Sequence, residues 1–549
     1  MISSLSLADQ PALFVDCQTT GPNPAKGNLL EITWFIATAK EPPSVLVSNL
    51  VKQPEDAPIP HRISKLTGIK TAELTDAIDK EEVSRQFHST VAQLSQPAIS
   101  LAHFARFERP FLQDLISAGG AGIGDADGDL LPFQLICTYE IAKRLFPNLP
   151  SKSIRAIAGY FGTECGEMKR AQSHAHATWQ IWRGLVDQLR AGGVDTVGTL
   201  QAWLTETPQP KRTKYQYPLE RSKRLSLPHQ PGVYRMLNSL GNVLYVGKAT
   251  SLKDRVNSYF RGNGTKDTKT KELLSQVFDL NVTVCSTPLE AALLETDEIK
   301  RLDPPYNRAL KQRDRTLLFY SPDFESASQV QTTDHPIGPF ANLHLLEPLQ
   351  RLSQSIRENN FREDIFHREL PKVILSEAFQ IFCINSGLEP NEIHNSRSLI
   401  ALGLWLVRKE DQIRKRQAEQ PEVEEEPADE TTADETTTEQ TEPDTNGLNS
   451  ESISTKFERL LRRIARLYLR AKALTGLLDI EVNYTHGDTK HNISVRRGII
   501  YSGASSHESV PIIAERDQPW AGLDVTTYDR MSVLFTGLSA SKSAILVPL

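Results

Sequence analysis

A long acidic segment toward the C-terminal end of the chain constrains what it can fold into. Residues 418–446 read AEQPEVEEEPADETTADETTTEQTEPDTN, with 12 Asp and Glu residues and no Lys or Arg. A segment with so few apolar side chains cannot offset the entropy lost on ordering, so we expect a disordered linker over 418–450. The full length of 549 residues also exceeds the roughly 100–200 residues of one domain. We therefore expect an α/β multidomain protein and exclude a single folded domain.

A second boundary lies where a helical pattern gives way to prolines and basic residues. The pattern ATWQIWRGLVDQLRAGG is followed by TETPQPKRTKYQYPLERSKR at 205–224, and proline-rich basic stretches favour linkers. The apolar runs ALFVDCQ and LLEITWFIA predict strands before this boundary. The predicted organisation is a first α/β domain over 1–205, a basic linker over 206–225, a small α/β domain over 226–315, a mixed helical region over 316–417 and an α+β region of unknown role over 451–549.

Charge is distributed unevenly along the chain. Residues 211–315 contain 20 Lys and Arg against 11 Asp and Glu, a net charge of +9, whereas the whole chain has a net charge of −6. The remaining residues therefore carry a net charge of −15. A basic block inside an acidic protein is typical of polyanion binding. We expect this block to dominate affinity for nucleic acid.

Membrane insertion and secretion are not indicated. No apolar run approaches the ~18 residues that a membrane span needs, and the start, MISSLSLADQPALFVD, resembles no signal peptide. The five cysteines are far apart and never form Cys-x-x-Cys, which argues against a disulfide framework, structural zinc and an iron–sulfur cluster. We expect a cytoplasmic protein with reduced thiols and no membrane partner.

Periodicity predicts the elements of the later regions. In the small domain, VYRML, NVLYVG and LNVTVCS predict short strands, and SLKDRVNSYF and EAALLETDEIKRL predict helices. After the acidic segment, KFERLLRRIARLYLRAKAL predicts an amphipathic helix. Its apolar face is expected to comprise Phe457, Leu460, Leu461, Ile464, Leu467 and Tyr468.

Three segments of the small domain together resemble a nuclease family. They are LPHQPGVYRM, LYVGKATSLKDRVNSYF and PLEAALLETDEIKRLDPPYN, in that order within 226–315. The region is similar to the GIY-YIG nuclease domain of the excinuclease subunit UvrC and its short homologue Cho. The resemblance implies a DNA repair endonuclease that uses Mg²⁺, with Mn²⁺ as a substitute, and that acts on DNA with a UvrB-like damage-recognition partner.

The resemblance assigns six catalytic positions, Tyr234, Tyr245, Lys248, Arg255, Tyr259 and Glu295. Their chemistry suits phosphodiester hydrolysis. The Glu295 carboxylate can hold one Mg²⁺ while water and phosphate complete its shell. Arg255 offers a permanently charged donor fork for the transition-state phosphate. A phenol beside Mg²⁺ and Lys248 can act as the base on water, a role that the resemblance gives to Tyr245.

Each of these residues also has an ordinary structural interpretation. Tyrosines in strands are often half-buried packing residues, and acidic residues on a helix often face solvent. Interpreted in that way, Glu290, Asp297 and Glu298 form the solvated face of the helix that presents Glu295. The six positions taken together, within a basic block, favour the catalytic interpretation.

The first domain resembles a second nuclease family. The segments FVDCQTTGPNPAKGNLLEI, HRISKLTGI, LAHFARFERPFL and KRAQSHAHAT occur in order within 1–190. They are similar to the DnaQ-like (DEDDh) 3′–5′ exonucleases, which implies an RNase H-like fold. That family uses four carboxylates to hold two Mg²⁺ ions and a His as the base.

Several positions depart from this family's pattern. Asp16 matches the first carboxylate, but its usual partner is replaced by Gln18, and Glu108 stands where Asp is usual. Where the family has His-x4-Asp, this chain has Lys169 and, five residues later, His174. Two formal negative charges should bind Mg²⁺ more weakly than four. Asp16, Glu108 and His174 remain candidate ligands for a softer ion such as Mn²⁺ or Zn²⁺.

These observations favour a DNA repair nuclease that makes one metal-dependent incision and carries a weak or inactive exonuclease-like DNA-binding domain. We find neither the second nuclease of full-length UvrC nor its helix-hairpin-helix pair, so the resemblance implies one incision. Two alternatives stay open. The first is a non-catalytic nucleic-acid-binding adaptor, and the second is a proofreading exonuclease, which Gln18 and His174 disfavour.

Overall fold

The computed structural model describes most of the chain as two compact units. One comprises Met1–Ala291 with Leu302–Ala309, and the other comprises Ala292–Arg301 with Leu310–Leu549. The description leaves out residues 1–4, 55–56, 97, 120–130, 164–167, 208–213, 262–266, 309, 312–314, 342–345, 367–368, 390–392, 394, 419–448, 487, 504–509, 512–522, 540–543 and 549. The predicted linker over 418–450 therefore lies outside the described residues, apart from its two ends.

The first domain is built on a mixed sheet with strand order β3-β2-β1-β4-β5. Its strands are β1 (Ala12–Thr19), β2 (Leu29–Ala37), β3 (Leu46–Leu50), β4 (Ile99–Ala102) and β5 (Gln134–Cys137). β1 pairs antiparallel with β2 and parallel with β4, and β4 pairs parallel with β5. Apolar side chains cover both faces of the central strands, because hydrophobic cores lie on each side of the sheet. The predicted α/β class is confirmed.

Helices enclose this sheet. They are α1 (His61–Thr67), α2 (Lys80–Val91), α3 (Ala105–Ala118), α4 (Thr138–Leu145), α5 (Ile154–Tyr160), α6 (Ala171–Ala191) and α7 (Val197–Glu206), with a 3-10 helix at Thr71–Asp76. The longest of these, α6, buries Trp182, Leu185 and Leu189 at helical spacing. It packs on β1 and β2, so its first turns lie beside the strand that carries Asp16.

The small domain contains the strands that the sequence predicts. They are β6 (Gly232–Leu237), β7 (Val243–Ala249) and β8 (Asp279–Val284), in the antiparallel order β7-β6-β8. The accompanying helices are α8 (Arg221–Leu225), α9 (Leu252–Ser258), α10 (Thr268–Leu274) and α11 (Pro288–Leu302). α9 and α11 were predicted, whereas α8 lies in the predicted basic linker and α10 has no counterpart in the prediction.

The first domain and the small domain pack directly against each other within the first unit. The hydroxyl of Ser153, beside α5, donates to Oε2 of Glu272 on α10 at 2.8 Å. Gly159 of α5 approaches Gln276 so closely that any side chain at Gly159 would collide with the Gln276 amide. The two domains are therefore joined by a closely packed contact as well as by the covalent linker.

The second unit combines helices with two further sheets. Its strands are β9 (Leu318–Tyr320), β10 (Ala327–Ser328), β11 (Ile337–Phe340), β12 (Ile480–His486), β13 (Thr489–Arg496), β14 (Ile499–Gly503), β15 (Val510–Pro511) and β16 (Ile545–Pro548). Its helices are α12 (Glu347–Arg357), α13 (Lys372–Ser386), α14 (Ser396–Ala418), α15 (Ser450–Gly476) and α16 (Val525–Ser539). The strand orders are β10-β9-β11 and β15-β14-β13-β12-β16.

The amphipathic helix predicted after the acidic segment is α15. The side chain of Asn449 accepts a hydrogen bond from the Ser452 amide at 2.9 Å and so caps its N-terminus. All six predicted apolar positions pack in the core shared with α13 and α14, which confirms the predicted face.

Within the part of the chain that the structure describes, no helix is both long enough and apolar enough to cross a membrane. The described cysteines, Cys17, Cys137, Cys285 and Cys383, are free thiols, as predicted. Cys165 lies outside the described residues.

Candidate functional site

Three tyrosines and one arginine of the small domain form a compact cluster. The hydroxyls of Tyr234 and Tyr259 are 2.9 Å apart, and Nη2 of Arg255 lies 3.5 Å from the Tyr259 hydroxyl. Ring centroids are separated by 6.1 Å for Tyr234 and Tyr245 and by 6.4 Å for Tyr245 and Tyr259. β6, β7 and the end of α9 thus bring four of the six predicted catalytic residues together.

The pairing of β6 with β7 explains the glycine in the Tyr245-Val246-Gly247 segment. Tyr234 pairs with Gly247 in the strand register. A side chain at Gly247 would collide with the Tyr234 hydroxyl. Glycine is therefore required where the Tyr234 ring crosses β7 on its way to the cluster.

Burial sets the protonation state of the central tyrosine. Tyr234 is 0% exposed. Burial raises the pKa of its hydroxyl well above the ordinary value, and the neighbouring Tyr259 and Tyr245 phenols raise it further. Tyr234 therefore remains protonated at any physiological pH. It can donate or accept a hydrogen bond, but it cannot serve as the base.

One buried amide that the sequence interpretation missed holds β7 in place. Asn307 accepts a hydrogen bond from the Val246 amide and donates one to the Val246 carbonyl, each at 2.9 Å. Val246 lies between Tyr245 and Gly247, so Asn307 fixes the strand that carries the cluster. The only signal in the sequence was the PPYN segment that follows α11.

The remaining two predicted catalytic residues lie on β7 and α11. Lys248 is exposed at the end of β7. Glu295 is half-buried on α11, within the stretch Ala292–Arg301 that packs as part of the second unit.

Two of the three other acidic residues of α11, Asp297 and Glu298, do not lie on a solvated face, contrary to expectation. Asp297 accepts a hydrogen bond from Nε of Arg530 on α16 at 2.8 Å, and these side chains are only 14% and 12% exposed. Glu298 is 5% exposed. The prediction for Asp297 and Glu298 was wrong because α16, more than 200 residues later in the chain, covers this side of the helix.

The first domain places Asp16 of β1, Glu108 of α3 and His174 of α6 around one cavity of about 590 Å³, which Gln18 also lines. Nδ1 of His174 lies 3.4 Å from Oδ1 of Asp16, and the Gln18 amide donates to Oδ2 of Asp16 at 3.1 Å. The residues that the sequence singled out in this domain therefore do converge.

Burial dominates the electrostatics of this cavity. Burial raises the pKa of Asp16, although the charge of His174 partly offsets the rise. Burial, followed by the charge of Asp16, raises the pKa of Glu108 well above its ordinary value. Burial also lowers the pKa of His174, but attraction to Asp16 more than compensates, and that pKa lies above its ordinary value. The cavity therefore holds two carboxyl groups whose ionised forms are disfavoured by burial, and His174 provides a partial positive charge beside Asp16.

The cavity also contains the acidic side chains that the sequence predicts as metal ligands. Oε2 of Glu108 is buried and has no hydrogen-bond partner among the described residues, so this oxygen is available to a cation. Among those same residues, however, no three His, Cys, Asp or Glu side chains are arranged as ligands of one ion. Gln18 supplies a neutral amide beside Asp16. The ligand set of Asp16, Glu108 and His174 therefore stays a prediction.

Two other histidines have structural roles. His103 is 3% exposed and is hydrogen-bonded to the Thr138 hydroxyl at 3.0 Å and the Lys152 carbonyl at 2.9 Å. Burial lowers its pKa to about 4. His176 packs beside Trp179, with ring centroids 5.2 Å apart. Leu66, in the HRISKLTGI segment of α1, is 66% exposed.

A buried carboxylate that the sequence analysis did not single out positions α6. Glu31 of β2 is 2% exposed. It accepts hydrogen bonds from Nε of Arg170 at 2.9 Å and from the Ala171 amide at 2.8 Å. Ala171 is the first residue of α6, so Glu31 satisfies a free amide at the helix N-terminus. It thereby fixes the turn that presents His174.

Comparison with known proteins identifies two domains. Residues 13–177 match the exonuclease family described as RNase_T, and residues 230–308 match the UvrC-like GIY-YIG domain. A Mycobacterium tuberculosis protein named bifunctional exonuclease/endonuclease is 31% identical over 46% of this chain and 37% of its own length. The UvrABC system protein C of Chromohalobacter salexigens is 40% identical over 26% of this chain and 25% of its own length. The chain thus spans well under half of either relative.

A solved structure is also similar to the small domain. It is the GIY-YIG N-terminal endonuclease domain of UvrC from Thermotoga maritima, which holds magnesium. The two are 34% identical over 16% of this chain and 94% of that domain, with a TM-score of 0.15. The family matches confirm the order of domains predicted from sequence. The chain joins an exonuclease-family domain to a UvrC-like GIY-YIG domain.

Proposed function

We propose that this protein is a DNA repair endonuclease that makes one single-strand incision through its GIY-YIG domain. The observation that carries the proposal is the cluster of Tyr234, Tyr245, Tyr259 and Arg255. The three phenols converge on the exposed guanidinium of Arg255, so a phosphate can reach the cluster from solvent. The same groups suit the phosphate and the attacking water of a hydrolysis.

The side chains divide the reaction between them. Arg255 binds the scissile phosphate and stabilises the charge of its transition state. Tyr245 accepts the proton of the attacking water, with Lys248 nearby in sequence to favour the phenolate. Tyr234, which stays protonated, orients Tyr259 through the hydrogen bond between their hydroxyls. Glu295 would hold a divalent cation, and its carboxylate oxygen is the ligand type that Mg²⁺ prefers. Bound there, the cation would act as a Lewis acid on the phosphate.

Strand scission tests this function. The full chain is incubated with Mg²⁺ and end-labelled intact, lesion-bearing and branched duplexes, with and without EDTA. We expect nicks on the lesion-bearing or branched duplex and none in EDTA. Arg255→Ala should reduce the rate by about 100-fold or more. Arg261→Ala, at an exposed arginine two residues after Tyr259, serves as the control and should nick like the parent. A non-catalytic adaptor would bind these duplexes and leave every one intact.

The exonuclease-family domain is proposed to bind strand ends and to hydrolyse them weakly, with one ion in place of two. This second function is supported by Oε2 of Glu108, which lines the same cavity as Asp16 and has no hydrogen-bond partner among the described residues. Digestion of a 3′-labelled single strand by the full chain should be slow in Mg²⁺ and faster in Mn²⁺, and it should stop in Asp16→Ala. Rapid processive shortening in Mg²⁺ that depends on Asp16 would instead establish a fully working exonuclease variant.

The cellular role follows from the resemblance. We propose that the protein acts in the cytoplasm on damaged DNA and that a UvrB-like damage-recognition protein delivers it to the lesion. A pull-down of the full chain with purified UvrB on lesion-bearing duplex, compared with undamaged duplex, tests this partner.

A further inference from the structure

The second unit carries a basic helix surface that the proposed incision chemistry does not use. α15 contains seven Lys and Arg residues and only two acidic residues, in a chain whose net charge is −6. The apolar side of α15 is occupied, since Phe457, Leu461 and Ile464 are at most 2% exposed. The basic residues of α15 that are exposed therefore lie on the side away from this core.

Four arginines follow one line along α15. Arg459, Arg463, Arg466 and Arg470 are spaced by four, three and four residues, which places them on one face of the helix. We call these four residues the basic face. At 1.5 Å per residue it is about 16 Å long. One strand of duplex DNA presents a phosphate every ~3.4 Å of axis, so the face matches about five phosphates.

A carboxylate of α14 fixes part of this surface. Glu410 lies 2.6 Å from Arg466, 3.6 Å from Arg462 and 3.1 Å from Arg414. Glu458 also lies 2.6 Å from Arg462, but two carboxylates cannot neutralise three guanidinium groups, so positive charge remains in excess. The ion pairs also orient the guanidinium forks in advance, which reduces the side-chain entropy lost when they bind phosphate.

The chemistry of the surface favours DNA over a lipid membrane. A basic amphipathic helix binds an anionic membrane by inserting its apolar face. The apolar face of α15 is already packed against α13 and α14. Only the charged side of α15 is exposed to solvent. Without an exposed apolar side the helix cannot insert into a membrane, whereas its charged side can bind a phosphate backbone.

We propose that the basic face of α15 is a DNA-backbone contact made of residues other than those of the incision site. Arginines that reach phosphates position a protein on the duplex and carry no sequence information, so this contact strengthens binding to any sequence. That the polyanion is DNA rests on the proposed function.

Fluorescence anisotropy with a labelled duplex tests the proposal on the full chain. The double substitution Arg459→Gln with Arg463→Gln removes two exposed arginines that form no ion pair with Glu410. We expect the Kd at physiological salt to rise on the order of 10-fold and the slope of log K against log salt to decrease by about 2. The control Arg357→Gln with Arg362→Gln removes equal charge from the same unit, at side chains 47% and 46% exposed. It should leave both quantities near the parent values.

Two results would overturn the proposal. One is a Kd and a salt slope for Arg459→Gln with Arg463→Gln that equal those of the control. The other is unchanged DNA binding together with lost binding to phosphatidylserine vesicles, which would assign the face to membranes. Incision measured over a range of duplex concentrations separates this contact from the proposed function. We expect KM to rise while kcat stays at the parent value, and the binding result remains decisive even if the parent makes no nick.

Discussion

Nζ of Lys300 on α11 lies 2.5 Å from Oδ2 of Asp529 on α16, and the two side chains are only 2% and 4% exposed. Nη1 of Arg315 donates to both oxygens of the same carboxylate, at 2.9 and 3.0 Å. Asp529 therefore compensates two cations, and α16 holds the segment of α11 that carries Glu295. The C-terminal region is thus a structural partner of α11.

Removing the charge of Asp529 should destabilise the second unit strongly. Asp529→Asn preserves the shape of the side chain but leaves Lys300 and Arg315 without their counter-charge. The free energy of unfolding of this unit should fall by about 3–5 kcal/mol, as measured by urea denaturation.

Asp364→Asn is the matched control. Its partner Arg362 and Asp364 itself are 46% and 41% exposed, and exposed pairs contribute at most about 1 kcal/mol. Equal unfolding curves for Asp529→Asn and the parent chain would show that the buried carboxylate is not required.

Tyr245 and Tyr234 should differ when each is changed to Phe. Tyr245→Phe removes the proposed base and should lower the incision rate by about 100-fold or more. Tyr234→Phe removes one hydrogen bond to Tyr259 from a hydroxyl that burial keeps protonated, so its effect should be roughly 10-fold or less. Single-turnover incision at saturating DNA measures both. A larger loss in Tyr234→Phe than in Tyr245→Phe would reverse the two roles.

The ionised carboxylate of Glu108 should lower the free energy of unfolding of the first domain at neutral pH. Because burial raises its folded-state pKa above the unfolded value, protonated Glu108 is favoured by folding. Its stabilising contribution is complete below the unfolded pKa and is lost as pH rises through the folded pKa. Glu108→Gln should therefore raise the melting temperature at pH 8, with little change near pH 4.

Mn²⁺ provides the second half of this test. A cation bound to Asp16 and Glu108 should raise the melting temperature of the parent and should have no effect on Glu108→Gln. The exposed Glu41 provides the control, since Glu41→Gln should show no stabilisation at pH 8 and should retain the response to Mn²⁺. A Glu108→Gln chain that melts below the parent at pH 8 would contradict the assignment.

Local patterns predicted the strands and two of the four helices of the small domain, together with the tyrosine cluster, because these depend on neighbouring residues. The strands of the small domain follow from short β-rich runs, and the tyrosine cluster follows from family motifs within 30 residues. The covered side of α11 depends on Asp529 and Arg530, which no local pattern connects to Lys300 and Asp297. Gln18 was correctly identified as a departure from the family, but its hydrogen bond to Asp16 needed the folded sheet.

The substitution Glu295→Gln tests the central claim most directly. It removes the anionic ligand proposed for the metal with little change in shape, and Glu290→Gln is the same change earlier on α11. Incision of a lesion-bearing duplex in Mg²⁺ is measured for both, with DNA affinity measured in parallel. We expect incision by Glu295→Gln to fall by about two orders of magnitude or more at unchanged DNA affinity, and Glu290→Gln to cut like the parent. Incision by Glu295→Gln at the parent rate would contradict the proposed site.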